Sequence, residues 1–434
     1  MVKNFFKQIV IVVLWWLTRR IIGKYQPKIV GVIGSVGKTS TKDAVAAVLG
    51  SGHQVRASAK SYNGEFGIPL TVIGVMSPWS SAFGWLKVLG QGLLLISFKQ
   101  DYPAWLVLEV GADRPGDIKK VAQQLNFKVV VITHLPTVPV HVEFFPSAEA
   151  VINEKLILAK VVAEQGLVVL NADDPKQVEV KGQLKAHIVT YGMVAGATVR
   201  GEHYHIFYNE EGENKTPLGL TFKLDYEGTS LPVRLDGVLG EHQLYPALAA
   251  AAVGLKFGVN LVQVAEALHY FRTPPGRLRL IPGIKQTLIL DDTYNSSPAA
   301  LTAGLKTLGQ LEVRGRKIAV IGDMLELGDH TIEAHKQAGR EAAQVADLVM
   351  TVGVRTKFVA EGLKTEKILL KKWHHFSNAK QVGEYLQKNL KAGDVIYLKG
   401  SQRIRLEKAV EMIMLEPQKK TTLLCRQEPE WQER

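Results

Sequence analysis

The stretch that decides the fold is KIVGVIGSVGKTSTKD, residues 28–43. Its first six residues form an apolar run that is typical of a buried β-strand. A glycine-rich turn follows and leads into a helical stretch from Lys38 to Leu49. A strand, a glycine-rich turn and a helix in this order bind phosphate groups, because backbone N–H groups and the helix dipole both point at the anion.

Each residue type in the turn suits a nucleoside triphosphate. Gly34 and Gly37 allow the backbone to approach phosphates closely, Lys38 supplies positive charge, and Thr39 offers a hydroxyl group to Mg²⁺. The spacing differs from the common GxxxxGK[ST] pattern, because Val32 stands five positions before Gly37. A plain strand-to-helix turn is the alternative, but Gly-Lys-Thr-Ser after an apolar strand favours phosphate binding.

The alternation of strand and helix continues beyond this turn. Short apolar runs that end in polar residues occupy residues 105–111, 128–133 and 166–174, with helical patterns between them. This pattern predicts an α/β domain with a mostly parallel sheet, whose ligands lie at the carboxyl ends of the strands. Residues 195–236 alternate polar and apolar positions instead, which predicts antiparallel strands.

A proline- and glycine-rich joint, TPPGRLRLIPG at residues 273–283, separates this domain from a second α/β unit of Rossmann-like type. Two α/β halves on such a joint predict a cleft that can close. The predicted organisation is a basic, apolar segment (1–27), a central ATP-binding domain (28–275), a C-terminal α/β domain (276–415) and a polar tail (416–434). Only the tail has a composition that suggests disorder.

Composition limits the class of protein. The chain has 434 residues, a net charge of +12 and one cysteine, Cys425. One cysteine excludes a disulfide framework and a zinc site built on cysteines, and it fits a reducing cytosol. The net charge suits nucleic acid, anionic lipid or acidic substrates, and the N-terminal segment favours lipid over nucleic acid.

Residues 1–27 carry five lysines and arginines and no acid. The run QIVIVVLWWLT between them is too short to cross a bilayer core. Tryptophan beside arginine suits the inner membrane surface, while packing on the protein body and a true span are the alternatives. A second apolar stretch, residues 77–98, is either another membrane-facing element or a buried hairpin of helices.

Three further side chains are candidates for chemistry. Glu109 ends an apolar run, so it could bind Mg²⁺ or cap a neighbouring turn. Lys155 lies on the same helical face as Val151 and Ile152; it either reaches out to water or is held inward, where a lowered pKa would let it react with CO₂. His141 is either a metal ligand or a hydrogen-bonded core histidine.

The C-terminal unit also ends its strands in polar clusters. They are LDDTYNSSP (290–298), which contains Asp292 and Asn295, followed by IGDMLELGDHTIEAH (321–335) and YLKGSQRIRLE (397–407). The first cluster could hold a ribose or an adenine.

Ten stretches, taken in order, resemble the Mur ligase family, and most closely its members that add D-alanyl-D-alanine. They span residues 29 to about 415. The stretches are GSVGKTSTKD, SYNGEFGIPLTVIG, LEVGADRPGDI, HVEFFPSAEAVINEK, LNADDP, GEHQLYPALAAAA, PPGRL, DDTYNSSP, IGDMLELG and LKGSQRIRLE.

The resemblance implies a monomeric cytoplasmic enzyme that joins a muramyl tripeptide to D-Ala-D-Ala at the expense of ATP. Lys155 follows His141 by fourteen residues, as the family's carbamylated lysine does. The resemblance implies that ATP is bound by Gly34, Ser35, Gly37, Lys38, Thr39, Ser40, Asp292 and Asn295. It implies that two Mg²⁺ ions are bound by Thr39, Glu109, His141 and carbamylated Lys155, and that catalysis depends on Lys38, His141, Lys155 and Arg277. The substrate-binding residues that it implies are Asn63, Asp323, Glu326, Lys399 and Arg403.

The chain departs from the family pattern at several points. Only about 27 residues precede the first predicted strand, where such members carry a UDP-sugar-binding domain, so we expect the acceptor to be held by other surfaces or to be lipid-linked. Gln243, Pro246 and Gly64 stand where asparagines are usual. A Mur-type ligase with another acceptor, a membrane-associated P-loop NTPase and a scaffold without catalysis remain alternative hypotheses.

Overall fold

The computed structural model describes residues 2–59, 61–209, 215–365 and 373–432. A nine-stranded sheet organises the central domain. Its strands are β1 (Lys28–Ile33), β2 (Val55–Ala57), β3 (Trp105–Glu109), β4 (Val129–Ile132), β5 (Leu167–Asn171), β6 (His187–Gly192), β7 (Val199–Asn209), β8 (Thr216–Tyr226) and β9 (Thr229–Asp236).

The strand order is β2-β3-β1-β4-β5-β6-β7-β8-β9. All pairs up to β6–β7 are parallel, and β7, β8 and β9 pair antiparallel. The central strands β1, β3 and β4 are buried almost throughout, since helices cover both faces of the sheet. Burial on both faces explains why these strands read as continuous apolar runs.

Helices form two layers against this sheet, and each layer has its own core. The helices are α1 (Val2–Tyr25), α2 (Lys38–Gly50), α3 (Gly67–Ile73), α4 (Ala82–Ser97), α5 (Asp117–Gln124), α6 (Ala148–Lys160), α7 (Pro175–Val180), α8 (Leu244–Lys256) and α9 (Leu261–Tyr270).

The C-terminal domain is built on a six-stranded sheet with the order β10-β11-β15-β12-β13-β14, parallel except for the edge strand β10. The α/β fold with two sheets confirms the predicted class. The elements are β10 (Arg279–Gly283), β11 (Thr287–Asp292), β12 (Lys317–Gly322), β13 (Leu348–Val352), β14 (Trp373–Phe376), β15 (Val395–Lys399), α10 (Pro298–Gln310), α11 (Thr331–Val345), α12 (Lys357–Thr365), α13 (Ala379–Asn389), α14 (Glu407–Ile413), α15 (Lys420–Leu423) and α16 (Pro429–Gln432).

The N-terminal segment packs on the protein body along one side. Leu14, Leu17 and Ile21 of α1 are fully buried in the core that α3 and α4 share. Residues 77–98 do not form a hairpin of helices, so that interpretation was wrong; they contain the single helix α4, and its partner is α1. Among the described helices, none combines the length and the apolar character that crossing a bilayer requires.

Residues 416–432 of the polar tail are ordered, which contradicts the expectation from its composition. Leu424 and Cys425 are buried in it, and Arg426 forms a buried ion pair of 2.8 Å with Glu407 of α14. The Arg426 guanidinium also donates hydrogen bonds to the carbonyl oxygen of Tyr294. A few buried contacts therefore fix the segment, although its average composition is polar.

Candidate active site

The phosphate-binding loop joins β1 to α2. Gly34 has φ 146° and Gly37 has φ 85°, values that L side chains rarely adopt. A Cβ atom on Gly34 would lie 2.0 Å from Thr133 Oγ1, so this position also requires glycine for space. The loop therefore has the tight backbone that the spacing of its glycines predicted.

Lys38, the first residue of α2, curls back over the loop. Its Nζ donates to the carbonyl oxygen of Gly34 at 3.0 Å and lies 3.4 Å from that of Ser35. Burial lowers the pKa of Lys38, and the charge of Arg277 lowers it further, while Glu109 acts in the opposite direction. An anion between Lys38 and Arg277 would relieve their mutual repulsion.

Glu109, at the end of β3, is a buried carboxylate with neutral partners. It is 1% exposed, accepts a hydrogen bond from Thr39 Oγ1 at 2.8 Å, and accepts another from Asn63 Nδ2 at 3.3 Å. A buried carboxylate needs a positive charge, and oxygen ligands beside a phosphate loop suit Mg²⁺. Thr39 and Glu109 therefore fit the predicted cation.

Lys155 points inward from α6. It is 2% exposed, and its Nζ donates to Ser35 Oγ in the phosphate-binding loop at 2.7 Å. Burial lowers the pKa of Lys155 to about 7, and the positive charge of Lys38 adds to this effect. The alternative of a lysine that reaches out to water is therefore wrong for this residue.

His141 lies between an acid of each domain. Its Nδ1 is 2.6 Å from Glu326 Oε2 of the C-terminal domain, and its Nε2 is 3.5 Å from Asp113 Oδ1. The contact with His141 lowers the pKa of Glu326. In the part of the chain that the structure describes, no three histidine, cysteine or acidic side chains cluster as a metal site. His141 and Glu109 line one cavity, and the structure pairs His141 with acids.

Arg277 reaches across from the joint between the domains. Its Nη2 lies 3.4 Å from Thr39 Oγ1, and its guanidinium stacks on the Tyr294 ring with 4.2 Å to the ring centroid. The side chain thereby links the loop after β11 to the phosphate-binding loop. Its positive charge therefore lies beside the phosphate-binding loop.

The predicted residues of the C-terminal domain have different surroundings. Asp292 and Lys399 form a buried ion pair of 2.7 Å, and Lys399 also donates to the carbonyl oxygen of Asn295 at 3.0 Å. Asp323 accepts hydrogen bonds from the backbone N–H groups of Arg355 and Thr356, so its carboxylate organises a loop. Burial lowers the pKa of Lys399.

A cavity of about 660 Å³ lies between the two domains. It brings together Ser35, Lys38, Asn63, Glu109, His141, Arg277, Asn295, Glu326, Lys399 and Arg403. The remaining predicted residues are outside its lining: Gly34, Gly37, Thr39, Ser40, Lys155, Asp292 and Asp323.

A second cavity of about 600 Å³ adjoins the first, with Ser61, Tyr294, Arg277 and Trp431 on the border of both. Thr39 lines it, together with aromatic side chains such as Trp79. Sequence reasoning missed these walls, and it also missed Asp113, Ser401 and Gln402. A tryptophan in a polar tail was the available signal for Trp431.

The fold and the site together define a nucleotide-dependent enzyme of two domains, with the phosphate-binding loop on one and basic side chains contributed from the other. Residues 32–254 match the family model of the Mur ligase middle domain, and residues 276–402 match that of the Mur ligase, glutamate ligase domain. The chain belongs to the Mur ligase family, whose members are ATP-dependent ligases.

The relatives agree with this assignment. The UDP-N-acetylmuramoyl-tripeptide–D-alanyl-D-alanine ligase of Bacillus subtilis (strain 168) is 28% identical over 90% of this chain and 76% of its own length. The enzyme of the same name from Mycobacterium tuberculosis (strain CDC 1551 / Oshkosh) is 31% identical over 86% of this chain and 70% of its own length.

A solved structure of MurF ligase from Thermotoga maritima in complex with ADP is also similar. It superimposes with a TM-score of 0.74 and 25% identity, covering 94% of this chain and 84% of that one. Its bound ADP supports ATP as the nucleotide of this family.

Proposed function

We propose that the chain is an ATP-dependent ligase that joins D-Ala-D-Ala to a muramyl tripeptide through an acyl phosphate. One observation carries the proposal: Arg277 extends from the interdomain joint to Thr39 of the phosphate-binding loop, beside the buried Glu109 and Lys38. Phosphoryl transfer requires positively charged groups around the terminal phosphate, because negative charge develops there during the reaction.

The reaction has two steps. An oxygen of the tripeptide carboxylate attacks the γ-phosphorus of ATP, which forms the acyl phosphate and releases ADP. The amine of the dipeptide then attacks the carbonyl carbon, phosphate leaves, and the amine loses a proton. Lys38 and Arg277 neutralise the charge that grows on the transferred phosphoryl group, and the closed cleft excludes water from the intermediate.

Mg²⁺ would be held by Thr39, Glu109 and His141, and when bound it supplies positive charge to the phosphates. For His141 this requires its imidazole to leave one of the acids that it contacts, Asp113 or Glu326. Glu109 needs no such change, because its described hydrogen-bond partners, Thr39 and Asn63, are neutral.

A carbamate on Lys155 completes the site that we propose. The neutral amine attacks CO₂, a nitrogen–carbon bond forms, and a proton is released. The carbamate is an anion. The positive charge that protonated Lys155 would place near Lys38 is thus replaced by a negative charge, which can help to hold a second Mg²⁺. Ser35 Oγ, 2.7 Å from Lys155 Nζ, can then donate its hydroxyl hydrogen to the carbamate.

The substrates would divide between the two cavities. Arg403 and Glu326 of the C-terminal domain suit the carboxylate and the amine of the dipeptide, and the ion pair of Lys399 with Asp292 keeps that wall in position. The acceptor would occupy the second cavity, which Thr39 lines, with its carboxylate directed toward Asn63 in the lining of the first.

We further propose that the enzyme is a cytoplasmic monomer that contacts the inner face of the membrane near its N-terminus. The absence of acids from residues 1–27, with five lysines and arginines there, supports this location.

The direct test measures phosphate release with D-Ala-D-Ala and a panel of UDP-linked and lipid-linked muramyl tripeptides. We expect release that needs both the acceptor and the dipeptide, with one product amide per phosphate. ATP hydrolysis that proceeds equally without either substrate would instead favour a P-loop NTPase.

The rate of carbamate formation should depend on pH. Only the neutral amine reacts with CO₂, and burial lowers the pKa of Lys155 to about 7. Enzyme depleted of CO₂ should therefore regain ligase activity faster as the pH rises through about 7, with a plateau above that value. The measurement is recovery of activity at a fixed concentration of dissolved CO₂, since a fixed amount of bicarbonate would supply less CO₂ as the pH rises; an equal rate from about pH 6 to about pH 8 would contradict it.

Trp431→Ala should raise the KM for the acceptor about five- to tenfold, since an aromatic wall of the second cavity is lost. Trp431 and Trp79 meet edge-on with ring centroids 6.3 Å apart, so the two indoles form one wall. The KM for ATP should not change, Trp431→Phe should recover most of the affinity, and the exposed Tyr270→Ala serves as control. A rise in the KM for the dipeptide alone would assign this wall to the other substrate.

A further inference from the structure

Helices α1 and α4 pack against each other. Leu17 packs against Gly92, where a Cβ atom would lie 2.8 Å from Leu17 Cδ1. At the other end of the pair, Lys24 Nζ donates to the carbonyl oxygens of Leu95, Ile96 and Phe98 at 2.9, 2.9 and 2.6 Å. Leu95 and Ile96 lie in the last turn of α4 and Phe98 follows it directly, so Lys24 caps that helix with a positive charge.

The outer face of this pair is apolar. Both helices bury their inner faces in the same core, through Leu14, Leu17 and Ile21 on α1 and Val88 and Leu95 on α4. The opposite faces therefore point away from that core. The exposed apolar side chains, each between 41% and 67% exposed, are Ile9, Val12, Trp16, Phe83, Leu86, Leu93, Leu94 and Phe98.

On α4 these side chains follow helical spacing, since Phe83, Leu86, Leu93 and Leu94 stand at i, i+3, i+10 and i+11. They lie on one side of the helix, with Gly90 between the two pairs. Of the large apolar side chains that are exposed among the described residues, eight of nineteen belong to this outer face. Such clustering marks an interaction surface, whereas single exposed apolar residues need no partner.

The two segments that form this face carry charges of one sign. Residues 1–27 and 75–100 contain seven lysines and arginines and no aspartate or glutamate, against a net charge of +12 for the chain. Arg20 lies 5.8 Å from the Trp16 ring centroid, and Lys87 lies 4.8 Å from that of Phe83. Cations beside aromatic rings are typical of side chains at a membrane surface.

This combination selects the partner. A second copy would bring like charges together around the apolar contact, and like charges across an interface oppose association. An anionic lipid surface complements both features, because the headgroups attract the cations and the acyl boundary accepts the apolar side chains.

We propose that the outer face of α1 and α4 docks on an anionic bilayer, with α4 as the main inserted element. The docking does not depend on the proposed ligase activity. Deleting α1 is a poor test, because Leu14, Leu17 and Ile21 would leave a hole in the core. Substitutions on the outer face of α4 avoid this problem.

The experiment is flotation of the full chain with vesicles of phosphatidylcholine alone or mixed with phosphatidylglycerol. We expect the wild type to float with the anionic vesicles only, and to float less at high salt. The variant Phe83→Gln/Leu86→Gln/Leu93→Gln should lose at least about tenfold in membrane partition. The control Tyr270→Gln/Val262→Gln/Val178→Gln changes side chains of matching type and exposure and should float like the wild type.

The outcomes of this experiment distinguish docking on a membrane from association with a second copy, and both from the proposed ligase function. A wild type that stays in the bottom fraction, or an α4 variant that floats equally well, overturns the docking face. A wild type that does not float but is dimeric by light scattering, with a monomeric α4 variant, overturns it in favour of a second copy. Ligation in vesicle-free buffer should be unchanged in the α4 variant, and a wild type that floats without ligating would refute the proposed function alone.

Discussion

Lys155→Ala should lower ligation by at least about 100-fold, because it removes the group that becomes an anion beside the phosphate-binding loop. The variant should fold, since alanine favours a helix and the cost of burying an amine at a 2% exposed position disappears. A short carboxylic acid such as acetate should restore part of the activity by occupying the vacated space near Ser35. The measurement is amide formation with and without added acetate.

Two controls make this result specific to the carbamate. Lys160→Ala removes a lysine from the exposed end of the same helix and should leave the rate unchanged. Wild type in ¹³C-labelled bicarbonate should give a carbamate carbon signal that Lys155→Ala lacks. Full activity of Lys155→Ala would exclude the carbamate. It would also be excluded if Lys155→Ala lost activity but the wild type gave no carbamate carbon signal.

The sequence was sufficient for the fold because its signals are local. Strands buried on both faces must be apolar, and the phosphate-binding loop needs glycine at Gly34 and Gly37 for space and dihedral angle. Helical spacing also placed Lys155 on the buried face of Val151 and Ile152, although only the structure decides that its amine points inward. Such patterns need no knowledge of the rest of the chain.

The missed parts depend on contacts between distant segments. Trp431 lines the site only because Arg426 pairs with Glu407 and anchors the tail beside Tyr294. The contact of Asp323 with a loop more than thirty residues away, through the backbone N–H groups of Arg355 and Thr356, also could not be read from the sequence. Composition and spacing contain no information about which strand end lies opposite which loop.

The same argument applies to α1 and α4, which are separated in sequence by α2 and α3. Neither apolar run alone distinguishes a buried side from an exposed one, because both are apolar all round. Their packing decides the matter: Gly92 permits the close approach of Leu17, and this approach assigns the inner faces.

Arg277→Ala should lower kcat by about 10³-fold, because the charge that reaches Thr39 from the second domain stabilises the transferred phosphoryl group more than the bound nucleotide. The KM for ATP should change much less. Arg277→Lys should recover only part of the rate, since an ammonium group neither stacks on Tyr294 nor makes two parallel hydrogen bonds. Pre-steady-state release of ADP and steady-state ligation would be measured together.

The matched control is Arg272→Ala, immediately before the same joint. Arg272 is exposed, and its guanidinium donates to the carbonyl oxygens of His269 and Phe271 at the end of α9, so its loss removes one positive charge without touching the cleft. If Arg277→Ala keeps kcat within about threefold of the wild type, as Arg272→Ala should, the two domains do not need Arg277 to assemble the reacting phosphate. Each variant removes one positive charge from this region, but only Arg277 reaches the phosphate-binding loop. A loss of kcat in Arg277→Ala alone would therefore assign the effect to the contact between the joint and that loop.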